Sequence, residues 1–197
     1  MKSIKELYRI GTGPSSSHTM GPRKAAEMFL ERHPDAASFK VTLYGSLAAT
    51  GKGHMTDVAI IDTLQPTAPV EIVWQPKVFL PFHPNGMTFA ALDSNDKVQE
   101  NWTVYSIGGG ALAENNDNPT IESPDVYDME NMTEILQWCE DTGKSYWEYV
   151  KECEEEDIWD YLTEVWATMK DAIHRGLEAE GVLPGPLNLR RKASTYY

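Results

Sequence analysis

The chain has 197 residues, 41% hydrophobic and 24% charged, a composition typical of a soluble globular protein of one domain with some extra structure. Its formal net charge of −13 argues against nucleic acid and membrane surfaces as partners, because both carry phosphate charges that an acidic surface repels. With two cysteines and no apolar run of about 20 residues, the sequence predicts no disulfide framework, zinc site or membrane span, and we expect a cytoplasmic protein.

The first 112 residues mix helices, strands and glycine-rich turns. Pro22 to His33 carries apolar residues at helical spacing, and Phe39 to Tyr44 alternates like a half-buried strand. Thr56 and Asp57 are predicted to cap a helix that runs to about Leu64. Further strands are predicted at 70–74, 87–92 and 98–106, the last two joined by a turn at 93–96. This order predicts an α+β fold with a mixed, largely antiparallel sheet packed with helices, rather than a doubly wound parallel sheet.

A helical C-terminal segment follows, predicted over residues 130–180. Gly143 marks the end of one helix, and Ser145 with Glu148 has the spacing of a capping box that starts the next. The acidic run from Glu152 to Asp157 is interpreted as a solvated helix start. An apolar stripe at helical spacing is predicted to pack in a core; it consists of Ile158, Leu162, Val165, Met169, Ile173 and Leu177.

Three divisions of the chain follow from these patterns. We expect an α+β core over 1–112, a mainly helical extension of the same domain over 113–180, and a linker over 181–197. A polar loop at 114–119 separates the first two. Cys139 and Cys153 are expected to be free and partly buried.

Loops that combine glycines with polar side chains are the candidates for chemistry. The first, Gly11–Thr19, leads into a helix, where backbone N–H groups and the helix dipole favour an anion. It adds His18, which titrates near neutral pH, and the hydroxyl groups of Ser15, Ser16, Ser17 and Thr19. A serine-rich helix cap with a surface histidine explains the same pattern equally well.

The second loop, at 50–57, places His54 between two glycines and the predicted helix cap, although a lone histidine there is more often a surface residue. The third, at 83–87, contains Asn85 in a stretch that also suits a plain turn, and the glycines at 108–110 follow the hairpin. A zinc site of His18, His54 and His83 lacks a recognised ligand spacing, and a Ser/His hydrolase lacks a Gly-x-Ser-x-Gly elbow. Spacing alone does not bring these loops together.

Several of these segments together resemble a known family. Ile10–Pro22 (IGTGPSSSHTMGP) resembles the opening signature of bacterial iron–sulfur L-serine dehydratases. The likeness continues, in family order, through SLAATGKGHMTD ending at Asp57, Asn85–Met87, YSIGGG ending at Gly110 and EGVLPGP ending at Pro186. Five ordered segments are far more specific than one glycine loop.

The resemblance implies a two-part enzyme that converts L-serine to pyruvate and ammonia. Its N-terminal β domain is similar in fold to the allosteric substrate-binding domain of some phosphoglycerate dehydrogenases, and its helical α domain ligates a [4Fe–4S] cluster with cysteines. By this resemblance His18 and His54 are the proton-transfer candidates, with the choice of base left open. The substrate carboxylate, or the backbone around it, would be held by Ser15, Ser16, Ser17 and Thr19, with Asn85 a weaker candidate for substrate contact.

The cluster cysteines of that family are missing here, because the chain ends at Tyr197, where the α domain would start. We therefore expect a β subunit, a truncated product or an expressed fragment that binds no cluster, needs an α partner for turnover, and serves in amino-acid breakdown that feeds gluconeogenesis. An exposed apolar patch at Leu183–Leu189 is a candidate partner surface, and a homodimer is possible. The alternative is a non-catalytic module that binds an amino acid or another small molecule.

Overall fold

The computed structural model describes residues 1–114 and 124–197. Of the predicted polar loop at 114–119, the part from 115 on lies outside the described residues. Contacts divide the chain into two compact units. The predicted domain boundaries at 112 and 180 stay predictions.

One unit consists of residues 11–114 and 182–190 and contains a five-stranded sheet. Its strands are β1 (Ser38–Tyr44), β2 (Val70–Gln75), β3 (Gly86–Leu92), β4 (Val98–Gly108) and β5 (Ala111–Ala113). In the order β2-β1-β3-β4-β5, only the β1–β2 pair is parallel, and the other three pairs are antiparallel. The prediction of an α+β fold with a mixed, largely antiparallel sheet is confirmed.

The helices of this unit are α1 (Gly21–Arg32), α2 (Gly45–Thr50) and α3 (Thr56–Leu64), with a π-helical turn at Ser16–Met20 directly before α1. Its core forms because α1 and the sheet bury apolar side chains against each other. The ring of Phe29 lies 5.4 Å from that of Phe89 and stacks on Trp102 at 6.1 Å. On β1 the burial alternates, with Phe39, Val41 and Leu43 inside, as the sequence predicted.

Two predictions for this unit were incomplete. Helix α2 was missed, because GSLAAT is a six-residue segment next to glycines and reads as a turn. The predicted cap of α3 is only partly right: Met55 is the N-cap residue and makes no side-chain capping bond, while the Asp57 carboxylate accepts from the Val58 N–H at 3.0 Å in the first turn. The hydroxyl of Thr56 donates instead to the carbonyl of His18.

The second unit consists of residues 1–10, 124–181 and 191–197 and is helical. A 3-10 turn at Ile4–Glu6 is followed by α4 (Met132–Thr142), α5 (Tyr146–Cys153), α6 (Ile158–Glu178) and α7 (Ala193–Tyr196). Gly143 ends α4 at φ 69°, where a glycine is favoured. The predicted capping box is confirmed, with the Glu148 carboxylate accepting from the Ser145 N–H at 2.9 Å and hydroxyl at 2.8 Å.

A small core holds this second unit together. It is formed by Tyr127, Ile135 and Tyr149, and the half-buried Cys139 and Cys153 pack against it as free thiols. The free, partly buried state predicted for both cysteines is confirmed.

Two interpretations of this unit were wrong. The apolar stripe of α6 is buried only in its first half, at Ile158 and Val165, whereas Met169 is 48% and Ile173 54% exposed. The acidic run is not uniformly solvated either, since Glu154 is only 9% exposed and accepts three hydrogen bonds. In the part of the chain that the structure describes, no helix is both long enough and apolar enough to cross a bilayer.

Candidate functional site

The serine-rich loop folds into the π-helical turn that begins at Ser16. Ser15 caps it: its hydroxyl oxygen accepts from the His18 N–H at 3.1 Å, and its own N–H donates to the Thr19 hydroxyl at 3.3 Å. The turn continues into α1, so the positive end of that helical run lies at the serines. Single π turns are rare and occur often at functional sites.

The imidazole of His18 lies between two hydroxyl groups. Its Nδ1 is 2.9 Å from the Ser17 Oγ, and its Nε2 is 3.2 Å from the Ser46 Oγ. Because a hydroxyl can donate or accept, this arrangement supports either neutral tautomer of the ring. Burial, and repulsion from His54, lower the pKa of His18, although a hydrogen bond that the ring donates to the Ser46 backbone opposes them. His18 is therefore held in the neutral form, which can accept a proton.

His54 is the second imidazole of the cluster, with its ring centroid 4.7 Å from that of His18. Its Nδ1 lies 3.0 Å from the Thr50 carbonyl oxygen. A carbonyl can only accept, so Nδ1 carries the hydrogen and the Nε2 of neutral His54 is the acceptor. Both histidines therefore offer a ring nitrogen that can take a proton.

Two threonines lock the histidine loops together. The Thr19 hydroxyl donates to the His54 carbonyl at 2.7 Å, and the Thr56 hydroxyl donates to the His18 carbonyl. Both threonines are buried. Each loop thus anchors the backbone of the other loop's histidine, so the ring pair is fixed from both sides.

The third loop joins through Ser46. The Ser46 N–H donates to the Pro84 carbonyl at 3.0 Å, which ties the residue contacting His18 to the loop at 83–87. The Asn85 amide donates to the Ser106 carbonyl at 3.2 Å, and the Ser106 N–H donates to the Asn85 carbonyl at 3.0 Å. Four motif segments that lie far apart in sequence therefore meet here.

The predicted site residues occupy different positions within this cluster. Ser16 is exposed, while Ser15 and Ser17 are half-buried beside His18. Thr19 is buried, with its hydroxyl committed to His54. The amide of Asn85 donates to Ser106. The Ser15 hydroxyl accepts from His18 and keeps its own hydrogen to donate, and Ser16 is exposed, so the serines beside His18 are the best placed of the predicted substrate-binding groups. Their roles in substrate binding stay predictions.

Sequence reasoning missed Ser46 and Ser106. Ser46 begins the SLAATGKGHMTD segment, and its role became visible only when α2 placed its hydroxyl at His18. The Oγ of Ser106 is fully buried, has no hydrogen-bond partner among residues 1–114 and 124–197, and packs against Gly21, on which a β-carbon would overlap it. Ser106 is the second residue of the YSIGGG motif, but only the glycines of that motif were considered from the sequence.

Residues 1–114 and 124–197 contain histidines, cysteines and carboxylates that could in principle bind a metal ion. No group of three or more His, Cys, Asp and Glu side chains there is arranged to hold a metal ion. His18 and His54 come together, but His83 does not complete a three-histidine site with them in the described chain. The donor set therefore does not fit an iron–sulfur cluster, which takes four cysteine ligands as a rule.

Comparisons with known proteins agree with the motifs. The family model for the serine dehydratase beta chain matches residues 3–75 and 63–117. The chain is 33% identical to an L-serine dehydratase of Haemophilus influenzae and 34% identical to L-serine dehydratase 1 of Escherichia coli, alignments that cover 100% and 98% of this chain. A Streptomyces coelicolor L-serine dehydratase is 32% identical over 98% of it. The chain spans about half the length of these relatives, 54%, 53% and 53% respectively.

The family match and the relatives' coverage of the whole chain point to one assignment, and the meeting of the family's motif segments around His18 and His54 agrees with it. The chain belongs to the serine dehydratase beta-chain family, as its ordered motifs predicted.

Proposed function

We propose that this chain is the β domain of an L-serine ammonia-lyase, which converts L-serine to pyruvate and ammonia. It supplies substrate-binding and proton-transfer residues, and a separate α domain holds a [4Fe–4S] cluster. The observation that carries the proposal is the interlocked pair of His18 and His54, 4.7 Å apart and bordered by the hydroxyls of Ser17 and Ser46. The names of its relatives supply the substrate.

The first chemical demand of this reaction is a base for the weakly acidic Cα proton of serine. His18 and His54 both present an imidazole nitrogen that can accept it. A positive charge on the His54 ring, 4.7 Å away, is one of the causes that lower the pKa of His18, so His18 disfavours a second positive charge in the pair. That suits a site that removes one proton and returns it as the β-hydroxyl leaves as water. The aminoacrylate left behind hydrolyses to pyruvate and ammonia.

The second demand is a seat for the substrate carboxylate. Ser15, Ser16 and Ser17 stand at the positive end of the helical run that continues through α1, where hydroxyl and N–H groups favour an anion. Thr19 and Asn85 serve the geometry of the loops, because their hydrogen-bonding groups are engaged inside the protein. We assign carboxylate binding to the three serines.

The described residues do not fit a cluster, so this chain's own part in the reaction is substrate binding and proton transfer. In the proposed enzyme the cluster supplies a Lewis acid from the α domain, which is the principal partner. A homodimer, a cytoplasmic location and a role in amino-acid breakdown that feeds gluconeogenesis belong to the same proposal. The acidic chain, with a net charge of −13, favours neither nucleic acid nor an anionic membrane as a partner.

The proposal is tested by anaerobic, serine-dependent pyruvate formation after cluster reconstitution. The chain is mixed with the separately produced C-terminal half of the Escherichia coli relative, and that relative's own N-terminal half is the positive control. We expect activity in the mixture and none from the chain alone, and a loss of at least about 100-fold in His18→Ala or His54→Ala, the usual contribution of acid–base groups.

An active control beside an inactive mixture would count against the proposal. Saturable serine binding in that inactive case would favour the alternative, a module that binds an amino acid without catalysis. Pyruvate formed by the chain alone would show that the proposed division of labour is wrong.

A further inference from the structure

The residue after His54 has an unusual backbone. Met55 has φ 57° and ψ 34°, the left-handed region that residues with a β-carbon other than Asn and Asp rarely adopt. It separates His54, whose carbonyl accepts from Thr19, from Thr56, whose hydroxyl reaches His18. The two interlocking hydrogen bonds therefore flank one strained residue. Such strain persists only where the surroundings hold it in place.

Residues 182–190 of the same unit form a hairpin that lies against this loop. An antiparallel bridge pairs Val182 with Arg190, and the Leu183 N–H donates to the Leu189 carbonyl at 2.8 Å. The hairpin turns through Gly185 at φ 108° and through a left-handed residue at position 188. These main-chain hydrogen bonds within the hairpin fix its shape, and therefore also the position of the residues at its tip.

The hairpin lies close to the loop at two residues, Gly53 and Met55, which stand on either side of His54. A β-carbon built on Gly185 would lie 3.5 Å from both the Cγ and the Sδ of Met55. One built on Gly53 would lie 3.7 and 3.8 Å from the two methyl groups of Leu187. Leu187 is 60% exposed and is not part of the buried core, so its position beside Gly53 is not a consequence of core packing.

We propose that the 182–190 hairpin is a strap that holds the His54 loop in its strained conformation, with Leu187 as the principal positioning residue. The strap lies beside Gly53 through Leu187 and beside the Met55 side chain through Gly185, and it leaves no room for the loop to move toward it there. If it lifts, Met55 can relax to right-handed backbone angles, which re-aims the His54 carbonyl away from Thr19 and the ring away from His18. The catalytic meaning of the strap rests on the proposed function, but its mechanical action does not.

A histidine NMR experiment on the full chain tests the strap. Cross-peaks between the ring protons of His18 and His54 report their proximity, and the His18 titration reports it independently, because repulsion from His54 contributes to the lowered pKa of His18. Leu187→Ala is compared with Leu189→Ala, at the base of the same hairpin. We expect Leu187→Ala to weaken or lose the cross-peaks and to raise the His18 titration midpoint, and Leu189→Ala to leave both unchanged.

Strain makes a second, sharper comparison possible. Met55→Gly removes the need for restraint, because glycine adopts the left-handed conformation readily. In the Met55→Gly background, Leu187→Ala should therefore leave the ring cross-peaks in place. The His33 signals, from a ring 2.7 Å from Glu100 in the same unit, show whether each variant is folded. If Leu187→Ala loses them, Leu187→Val, which keeps more of the side chain, replaces it.

Unchanged ring cross-peaks and an unchanged His18 titration in a folded Leu187 variant would overturn the strap. Equal losses in Leu187→Ala and Leu189→Ala, or an equal loss in the Met55→Gly background, would overturn it as well. None of these measurements uses serine. A failure of serine binding would therefore reject the proposed function while leaving the strap intact.

Discussion

At the scale of single residues, His18 connects the chemistry of the site to the pH dependence of folding. Burial first, and then the nearby His54, lower the pKa of His18 in the folded chain. At pH values between the folded and unfolded pKa of this histidine, the unfolded chain binds more protons than the folded chain. The free energy of unfolding therefore decreases as the pH falls below the ordinary histidine value of about 6.5. At higher pH both states are neutral and the effect vanishes.

The first prediction concerns that window. His18→Asn should lose less stability than the wild-type chain when the pH falls from about 7 to about 5, because it removes the histidine that must be charged at a cost. Urea unfolding at several pH values measures the effect. His174→Asn, on the exposed surface of α6, is the control and should follow the wild-type curve. Parallel curves for wild type and His18→Asn would contradict the pKa assignment.

The second prediction concerns Gly21, which follows the π turn. A β-carbon there would overlap the Ser106 Oγ and lie 3.0 Å from its Cβ, in a fully buried contact. Gly21→Ala should therefore destabilise the chain by about 1–3 kcal/mol, the usual cost of overpacking. Ser106→Ala, which removes the hydroxyl, should relieve part of that cost.

Gly176→Ala is the matched control for this test. It lies within α6, and a β-carbon there meets nothing within 4 Å. It should stabilise the chain by about 0.5–1 kcal/mol through helix propensity. Thermal or urea unfolding distinguishes the two, and equal effects of the two substitutions would show that the Gly21 contact is not tight.

At the residue scale, the sequence motifs drew attention to loops that the structure brings together, although the roles of their residues stay predictions. His18, His54 and the serines were named from their loops. Ser46 was not, because its function depends on the placement of its hydroxyl between β1 and α2 and not on a pattern around it. The buried, unpaired Ser106 hydroxyl likewise has no signature in a single sequence.

At the scale of elements, the buried Glu154 fastens the N-terminal 3-10 turn to the end of α5. Its carboxylate accepts from the Ser3 hydroxyl at 2.7 Å, the Ile4 N–H at 2.8 Å and the Tyr127 hydroxyl at 2.6 Å. Burial alone would raise the pKa of Glu154, but these hydrogen bonds and the charge of Lys5 outweigh it and lower the pKa. Its contribution to stability is therefore present above the unfolded pKa and lost as the pH falls.

The third prediction is that Glu154→Gln destabilises the chain by about 1.5–3 kcal/mol near neutral pH. The neutral amide is a weaker acceptor than the carboxylate, and its NH2 group would face the hydroxyl and N–H donors that now bond to Glu154. Its stability should also fall less than that of the wild type as the pH drops below about 4.5. Glu156→Gln, on an exposed neighbour in the same acidic run, should change stability by less than about 0.5 kcal/mol. Equal effects of the two changes, measured by urea unfolding, would contradict the anchoring role.

The elements themselves show where sequence patterns suffice. Alternation located β1, and caps located the ends of α4 and α5, because these signals are local. The stripe on α6 was misjudged because periodicity shows that one face is apolar without showing that anything covers it. Likewise, the acidic run did not reveal that one of its carboxylates would be buried among three donors.

At the scale of the whole molecule, the chain consists of a sheet-bearing unit with the histidine cluster and a helical unit. The predicted apolar patch at its C-terminal hairpin is exposed, with Leu183 43%, Leu187 60% and Leu189 53% accessible. The chain matches about half the length of its relatives, and the α partner belongs to the proposal above and not to these matches. An experiment on this chain by itself can therefore test ligand binding at its own site.

Calorimetric titration of the chain with L-serine tests the central claim most directly, because it needs neither partner nor cluster. We expect saturable binding of L-serine, at least about tenfold weaker in His18→Ala, a loss of about 1.4 kcal/mol. His33→Ala, in the same unit but outside the cluster, should leave the affinity unchanged. No serine binding, or binding that is indifferent to His18, would contradict the claim that these loops form a substrate site.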